Sequence, residues 1–244
     1  MFVNERRHAT VMTEILKAIN NMPNRPFVLK EGTALSLCYG LDRFSEDIDL
    51  DAPGTSAPRK ALFSTIMATC RQKGYELRIA EDTNTVGRAI IHYDNGCTLK
   101  VEASYRNATI DPLDVVDIGG VKVYNLDNLA IMKASAYQSR DKIRDLYDLC
   151  FIVNECYDEL SRNAQKAVRS AFEYKSLEQL DYLLRTQSDP LIDSKLLEDS
   201  FLRAFDECGL LGGERSIIDE DLRAATEVAE SMRGSALRTP GYGK

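Results

Sequence analysis

KEGTALSLCYGLDRFSEDIDLD, residues 30–51, runs from a strand-like lysine through a short helix-forming segment into a second strand that carries Asp47, Asp49 and Asp51, with Glu46 just ahead of it. Successive side chains of a strand point to opposite faces. Asp47, Asp49 and Asp51 therefore share one face, and Ile48 and Leu50 point the other way, into a core. Three like charges side by side repel unless water or a cation offsets them. Carboxylates two residues apart suit a hard divalent ion such as Mg²⁺ or Mn²⁺. An isolated Asp-x-Asp reads first as the solvated edge of a loop, so its surroundings must decide.

Just upstream, residues 27–30 read as a short buried strand, and Gly32-Thr33 stands between it and a helical run that Gly40 stops. Glycine permits close backbone approach, Thr33 can cap the helix, and the free N–H groups of a helix start can hold a phosphate. An ordinary helix N-terminus has the same appearance. Downstream come a Pro/Gly/Ser loop and a helix over about 58–73. Strands follow at 75–81, 87–93, 97–104 and 113–118, the second and third joined through Asp94-Asn95-Gly96 as a hairpin. In CTLKVEAS (97–104) Lys100 and Glu102 alternate with Leu99, Val101 and Ala103. A third carboxylate, Glu102, can thus face Asp47 and Asp49 from a neighbouring strand, as a two-metal transfer site requires.

From 121 to 189 there is neither Gly nor Pro, and the apolar spacing is helical. Further helical patterns follow at 194–208 and 219–232, and an N-terminal helix is expected over 5–21. The fold class expected is α+β: a mixed β-sheet with flanking helices, followed by a helical C-terminal bundle. The expected division is a sheet domain over 1–122, a helical domain over 123–235 that contributes to the cleft, and a flexible tail over 236–244.

Composition narrows the class. With 244 residues, 44% hydrophobic and 28% charged, the chain can bury a sizeable core. No run approaches the roughly 18 apolar residues of a membrane helix, and Glu5, Arg6 and Arg7 stand where a signal peptide has its apolar segment, so a cytoplasmic protein without a membrane partner is expected. Six cysteines form no CxxC pair, and two histidines make a zinc site of the usual ligand type hard to assemble. The net charge is −7, yet residues 1–150 hold 19 Lys and Arg against 20 Asp and Glu. That near balance, in the half that carries the acidic strand, leaves room for a local positive surface.

Residues 30–51 resemble the signature of the AbiEii/AbiGii toxin family of nucleotidyltransferases, which includes the MenT group and whose typical run is GGTAL…YGL.RFSEDIDL. The resemblance continues in LAIMKASAYQSRDKIRDLYDL (129–149), with a helical lysine followed by an RD.YDL element. It implies a nucleotidyltransferase-like sheet and transfer of a nucleotide from an NTP, with release of pyrophosphate. By the same resemblance Asp47 and Asp49 are the metal-binding pair, Glu102 is the third acid, Gly32 and Thr33 form the phosphate turn, Lys133 reaches the nucleotide's phosphates, and Asp145 matches the last motif. The acceptor implied is RNA, in particular a tRNA 3′ end, with growth arrest relieved by a cognate antitoxin of a type IV toxin-antitoxin pair.

Several residues keep a second reading. Asp145 and Asp148 also fit an Arg-Asp lattice between packed helices, and Arg43 fits a plain salt bridge. On one continuous helix Asp141, Asp145 and Asp148 share a face, as do Lys133, Ala136, Tyr137 and Arg140. Glu31 stands where the family usually has a second glycine, and a carboxylate there is unwelcome to a phosphate unless it points away. A protein acceptor, a catalytically weak nucleotide- or partner-binding module, and a glycosyltransferase using Asp-x-Asp are the other readings. The last leaves both Gly32-Thr33 and RDLYDL unexplained.

Overall fold

In the computed structural model the described residues are 5–54, 56–107 and 109–211. The helical pattern at 219–232 and the tail expected at 236–244 lie outside them. The chain enters through helix α1 (Glu5–Asn20), then strand β1 (Val28–Lys30), helix α2 (Glu31–Cys38) and strand β2 (Asp47–Asp51). Helix α3 (Ser56–Lys73) leads into strands β3 (Glu76–Asp82), β4 (Val86–Asp94) and β5 (Cys97–Ser104). A short hairpin of β6 (Val115–Ile118) and β7 (Val121–Tyr124) is followed by helices α4 (Leu126–Ser139), α5 (Ile143–Cys156), α6 (Arg162–Thr186) and α7 (Ser194–Glu207).

The strands form one mixed sheet in the order β3-β4-β5-β2-β1-β7-β6. β2 runs parallel to β5 and antiparallel to β1, and β1 runs parallel to β7. The β4–β5 hairpin turns through Asn95-Gly96 with Asp94 opposite Cys97, as the Asn-Gly signal requires. The inward residues of the central strands, Leu29, Ile48, Leu50, Val101 and Val123, are all at most 1% exposed. α1 lays Val11, Met12, Ile15, Leu16 and Ile19 into the same core.

β7 departs from the helical reading of everything after Gly120. Gly119 and Gly120 both take positive φ, 60° and 83°, the conformation of a tight two-residue hairpin. The chain reverses there, and Val121 pairs with Ile118 before Leu29 of β1 meets Val123. A boundary at 122/123 therefore falls inside a strand. Four residues are too few for a period-2 pattern to stand out against the long helical stretch that follows.

The C-terminal helices pack through aromatic rings. Tyr137 of α4, Phe172 of α6 and Phe201 of α7 are fully buried, with Phe172 edge-on to both other rings at 6.2 and 5.5 Å. Each of the two phenylalanines contributes about 1.5–3 kcal/mol by burial. All six cysteines are free thiols, with Cys70, Cys150 and Cys208 buried and the others half-buried. Among the described residues no helix is long and apolar enough to cross a membrane.

One of the three strand aspartates belongs to this framework. Asp51 is 4% exposed and receives the Tyr124 hydroxyl at 3.0 Å and Lys30 Nζ at 2.7 Å. It ties β2 to β1 and β7, whereas Asp47 and Asp49 remain at the open end of the strand. Asp51→Ala would leave a buried hydroxyl and a half-buried ammonium without their acceptor. We expect a loss of about 2–4 kcal/mol in urea denaturation.

Candidate active site

Strand register assembles one face of the site. Asp49 lies opposite Lys30 on one side and Glu102 on the other, and Glu102 lies opposite Arg88. Asp47 lies opposite Lys100. The basic residues of this face each lean toward a different acid: Lys30 to Asp51 at 2.7 Å, Lys100 to Asp47 at 2.8 Å, and Arg88 to Glu102 at 2.7 Å. Asp49 is left without a salt bridge among the described residues. Burial, together with the neighbouring charges of Asp47, Glu31 and Glu102, outweighs the pull of Lys100 and pushes its carboxyl up to about 6.

The helices supply the opposite wall. Lys133 of α4 is 4% exposed, and its ammonium donates to Glu31 Oε2 at 3.0 Å and Asp145 Oδ1 at 3.2 Å and pairs with Asp148 Oδ2 at 3.0 Å. Burial alone would lower its pKa, but the three carboxylates overcome that and raise it, so Lys133 is a permanent cation. Asp148 is gripped from the other side by Arg43, whose Nε and Nη2 donate to its two oxygens at 2.6 and 2.7 Å. Asp145 accepts from Arg140 in the same two-pronged manner, at 2.6 and 3.0 Å. Burial raises the Asp145 carboxyl, yet Arg140 and Lys133 outweigh it and hold it below the usual aspartate range. Arg144 bridges Glu46, ahead of β2, to Asp189 in the α6–α7 connection.

Between these walls lies an open cleft of about 830 Å³. Seven of its lining residues are basic and seven acidic. Lys142 is the one lining cation without an ion pair among the described residues. Of the residues singled out in the sequence, Gly32, Asp47, Asp49, Glu102, Lys133 and Asp145 all line this cleft.

Thr33, Asp141 and Arg140 sit differently from the expectations. Thr33 does not cap its helix, because α2 already begins at Glu31 with Lys30 as its N-cap. Fully buried, its hydroxyl instead donates to the carbonyl of Asp47 and meets Ser45 Oγ at 2.7 Å. Gly32 is required by a side chain of the protein itself: a Cβ there would stand 2.5 Å from Arg43 Nη2. Asp141 does not share a face with Asp145 and Asp148, since the helix is interrupted at 140–142 and Asp141 turns to Lys175 and Gln179 of α6. Arg140 is likewise the C-cap of α4, outside the stripe that begins at Lys133.

Sequence reasoning passed over His8. It is buried on α1, with Nδ1 at 2.7 Å from the Tyr93 hydroxyl and Nε2 at 2.8 Å from the carbonyl of Glu46. With Thr33 on the next carbonyl, it fixes the backbone from which Asp47 projects. Its only signal in the sequence is a histidine at helical spacing from Val11, Met12 and Ile15, which a core position would also give.

Whether these residues suit a divalent cation can be judged from the charge arrangement. Among the described residues no three His, Cys, Asp or Glu side chains are gathered closely enough to hold an ion by themselves. Glu102 is in register with Asp49, but its carboxylate is engaged by Arg88. Mg²⁺ is commonly held by one or two carboxylates together with substrate phosphates. Asp47 and the uncompensated Asp49 supply such a pair. The donor set fits an ion that arrives with a phosphorylated substrate.

The family model described as nucleotidyl transferase AbiEii toxin, type IV toxin-antitoxin system, matches residues 15–227. Among solved structures, JHP933 from Helicobacter pylori is 27% identical with a TM-score of 0.69, the match covering 93% of this chain and 99% of that one. A second H. pylori structure, of a candidate nucleotidyltransferase, is 25% identical with a TM-score of 0.68 and covers 89% and 99%. The MenT4 nucleotidyltransferase toxin of Mycobacterium tuberculosis is 15% identical with a TM-score of 0.49 and covers 87% and 86%. No curated relative matches by sequence.

Two variants, one electrostatic and one steric, test the site in metal-free buffer. A carboxyl whose folded pKa is raised opposes folding at pH values above that pKa, and the penalty fades as pH falls through about 6 toward the unfolded value of 3.8. Asp49→Asn removes the penalty and is expected to stabilise the fold by about 1–3 kcal/mol at pH 8, with the gain vanishing near pH 4. Gly32→Ala has the opposite effect. Arg43 is locked by Asp148 and cannot retreat from the new Cβ, so thermal unfolding should show a loss of about 1–3 kcal/mol.

Proposed function

The chain belongs to the AbiEii nucleotidyl transferase toxin family, and we propose that it transfers a nucleotide from an NTP to the 3′ end of an RNA, in particular a tRNA. The observation that carries this reading is the juxtaposition of Asp47, Asp49 and Glu102 on one wall of the cleft with Lys133 and Arg140 on the other. Phosphoryl transfer needs positioning and charge offset more than covalent help from the protein. The cleft is built from such groups, and Ser45, its one lining hydroxyl close to the acidic strand, is occupied by Thr33.

In the proposed reaction the terminal hydroxyl of the acceptor attacks the α-phosphorus. An oxygen–phosphorus bond forms to the acceptor, the α–β phosphoanhydride breaks, and pyrophosphate leaves. Asp47 and Asp49 would hold Mg²⁺ or Mn²⁺, which supplies charge neutralisation on the triphosphate when bound. Glu102 takes the hydroxyl proton; its salt bridge to Arg88 runs through Oε2, so Oε1 is the atom that receives it. Lys133, charged at any working pH, offsets the charge that develops on pyrophosphate. Asp145 is a positioning residue, since both its oxygens are used to hold Lys133 and Arg140. Lys142, at the cleft wall without an ion pair among the described residues, is the group best placed to meet the acceptor's backbone phosphate.

By this reading the enzyme works in the cytoplasm on cellular NTPs and RNA, and a cognate antitoxin restrains it. The test is incubation with Mg²⁺ and each α-labelled NTP, offering total RNA and total protein together, beside Asp49→Asn. That variant keeps the fold and removes the charge, so its failure is chemical. Label in RNA with the intact protein alone, from one preferred NTP, is the expected result. Label in a protein band instead makes the reaction protein nucleotidylation, and no label from any donor overturns transfer altogether.

A further inference from the structure

Glu31 is unusual in two respects. Its backbone has φ +61°, a region that a residue with a Cβ occupies only where its surroundings hold it there. Its carboxylate reaches into the cleft to Lys133 at 3.0 Å, although Asp145 and Asp148 already serve that ammonium at 3.2 and 3.0 Å. The charges explain the third acid. Lys133, Arg43 and Arg140 are three cations clustered around only two deeply buried carboxylates, Asp145 and Asp148. One positive charge is left over, and Glu31 balances it.

The three acids are not equally fixed. The side chains of Asp145 and Asp148 are 4% and 0% exposed, and an arginine grips each by both oxygens. Glu31 is 30% exposed and, among the described residues, makes a single ion pair, through one oxygen. It is the acid that can turn to water without stranding a buried partner. It also opens α2, where the first N–H groups have no acceptor within the helix.

We propose that Glu31 is a built-in stand-in for a phosphate of the donor nucleotide: its carboxylate fills the anion position beside Lys133, and the triphosphate must displace it to bind. The proposal rests on the transfer reading in one respect, that the arriving anion is the donor's phosphate. Glu31 then sets nucleotide affinity and favours triphosphates over monophosphates, because a single phosphate exchanges one small anion for another whereas a triphosphate brings additional charge. Burial pushes the Glu31 carboxyl up, but Lys133 outweighs it and holds the group below the ordinary glutamate range, so the competitor is ionised at neutral pH.

The experiment is calorimetric titration of the full chain with inorganic tripolyphosphate and with orthophosphate, comparing the native protein with Glu31→Gln and Glu31→Gly. The glutamine removes only the charge, and the glycine removes the backbone strain as well. Melting curves establish that each variant is folded. Tripolyphosphate binding tightened by about tenfold in both variants, with orthophosphate tightened by at least as much, is the expected result. Unchanged or weaker tripolyphosphate binding in the folded variants overturns the proposal and makes Glu31 a structural partner of Lys133. The labelled-NTP assay separates the two readings: native protein that labels RNA while the variants bind no tighter refutes the Glu31 role and leaves the transfer intact. If tripolyphosphate binds none of the three proteins, the anion position itself is refuted.

Discussion

A buried ammonium governs the architecture of this cleft. Taking Lys133 out of water costs several kcal/mol unless acids surround it, and those acids must come from elsewhere in the chain. Asp145 and Asp148 of α5 and Glu31 of α2 meet it from two directions. Each α5 carboxylate then needs a second cation, which draws in Arg140 at the end of α4 and Arg43 ahead of β2. The requirement spreads further, because Arg43 occupies the space where a side chain at position 32 would stand. The glycine, the two arginines and the α4–α5 break at 140–142 are thus consequences of one charge, and together they join the sheet to the helices along the back of the cleft.

The acidic strand divides its labour along its length. At one end Asp51 is enclosed by Lys30 and Tyr124 and holds three strands together. Two residues away, Asp49 faces the same side of the sheet, yet every nearby cation is committed to another acid. The difference arises from neighbours, since both residues have the same chemistry and the same strand geometry. The proposed role of receiving a cation accounts for one carboxylate left unsatisfied, and the protein carries that destabilisation in the fold.

Much of the sheet was legible in the sequence. The limits of β5, the β4–β5 hairpin and the acidic strand follow from period-2 alternation and one Asn-Gly pair, and the alternation alone sets Glu102 on the same side as Asp49. The motif resemblance at 30–51 and 129–149 picks out Gly32, Asp47, Asp49, Lys133 and Asp145, which line one cleft, and also Thr33, which does not. Other features were hidden for definite reasons. β7 is four residues long. The helix break at 140–142 has no glycine or proline to mark it and arises because Arg140 and Asp141 turn toward different helices. Arg43 and Asp148 are 105 positions apart, so periodicity could offer a salt bridge for Arg43 without naming its partner. His8 looks like any other residue on the apolar face of α1.

The balance of charge in the cleft also bears on how the proposed reaction is controlled. Six of the seven lining cations are paired with acids of the protein, so an arriving triphosphate finds almost no uncommitted positive charge. It can bind only by bringing cations of its own or by displacing an internal acid. Both routes converge on the same corner of the site, where Asp49 lacks a counter-charge and Glu31 holds Lys133 by a single oxygen. The proposed nucleic acid acceptor would add more negative charge to this surface, with Lys142 to receive it. A cleft arranged in this way excludes anions that cannot meet the full set of conditions, and in the proposed reaction that selectivity limits turnover on the wrong substrate.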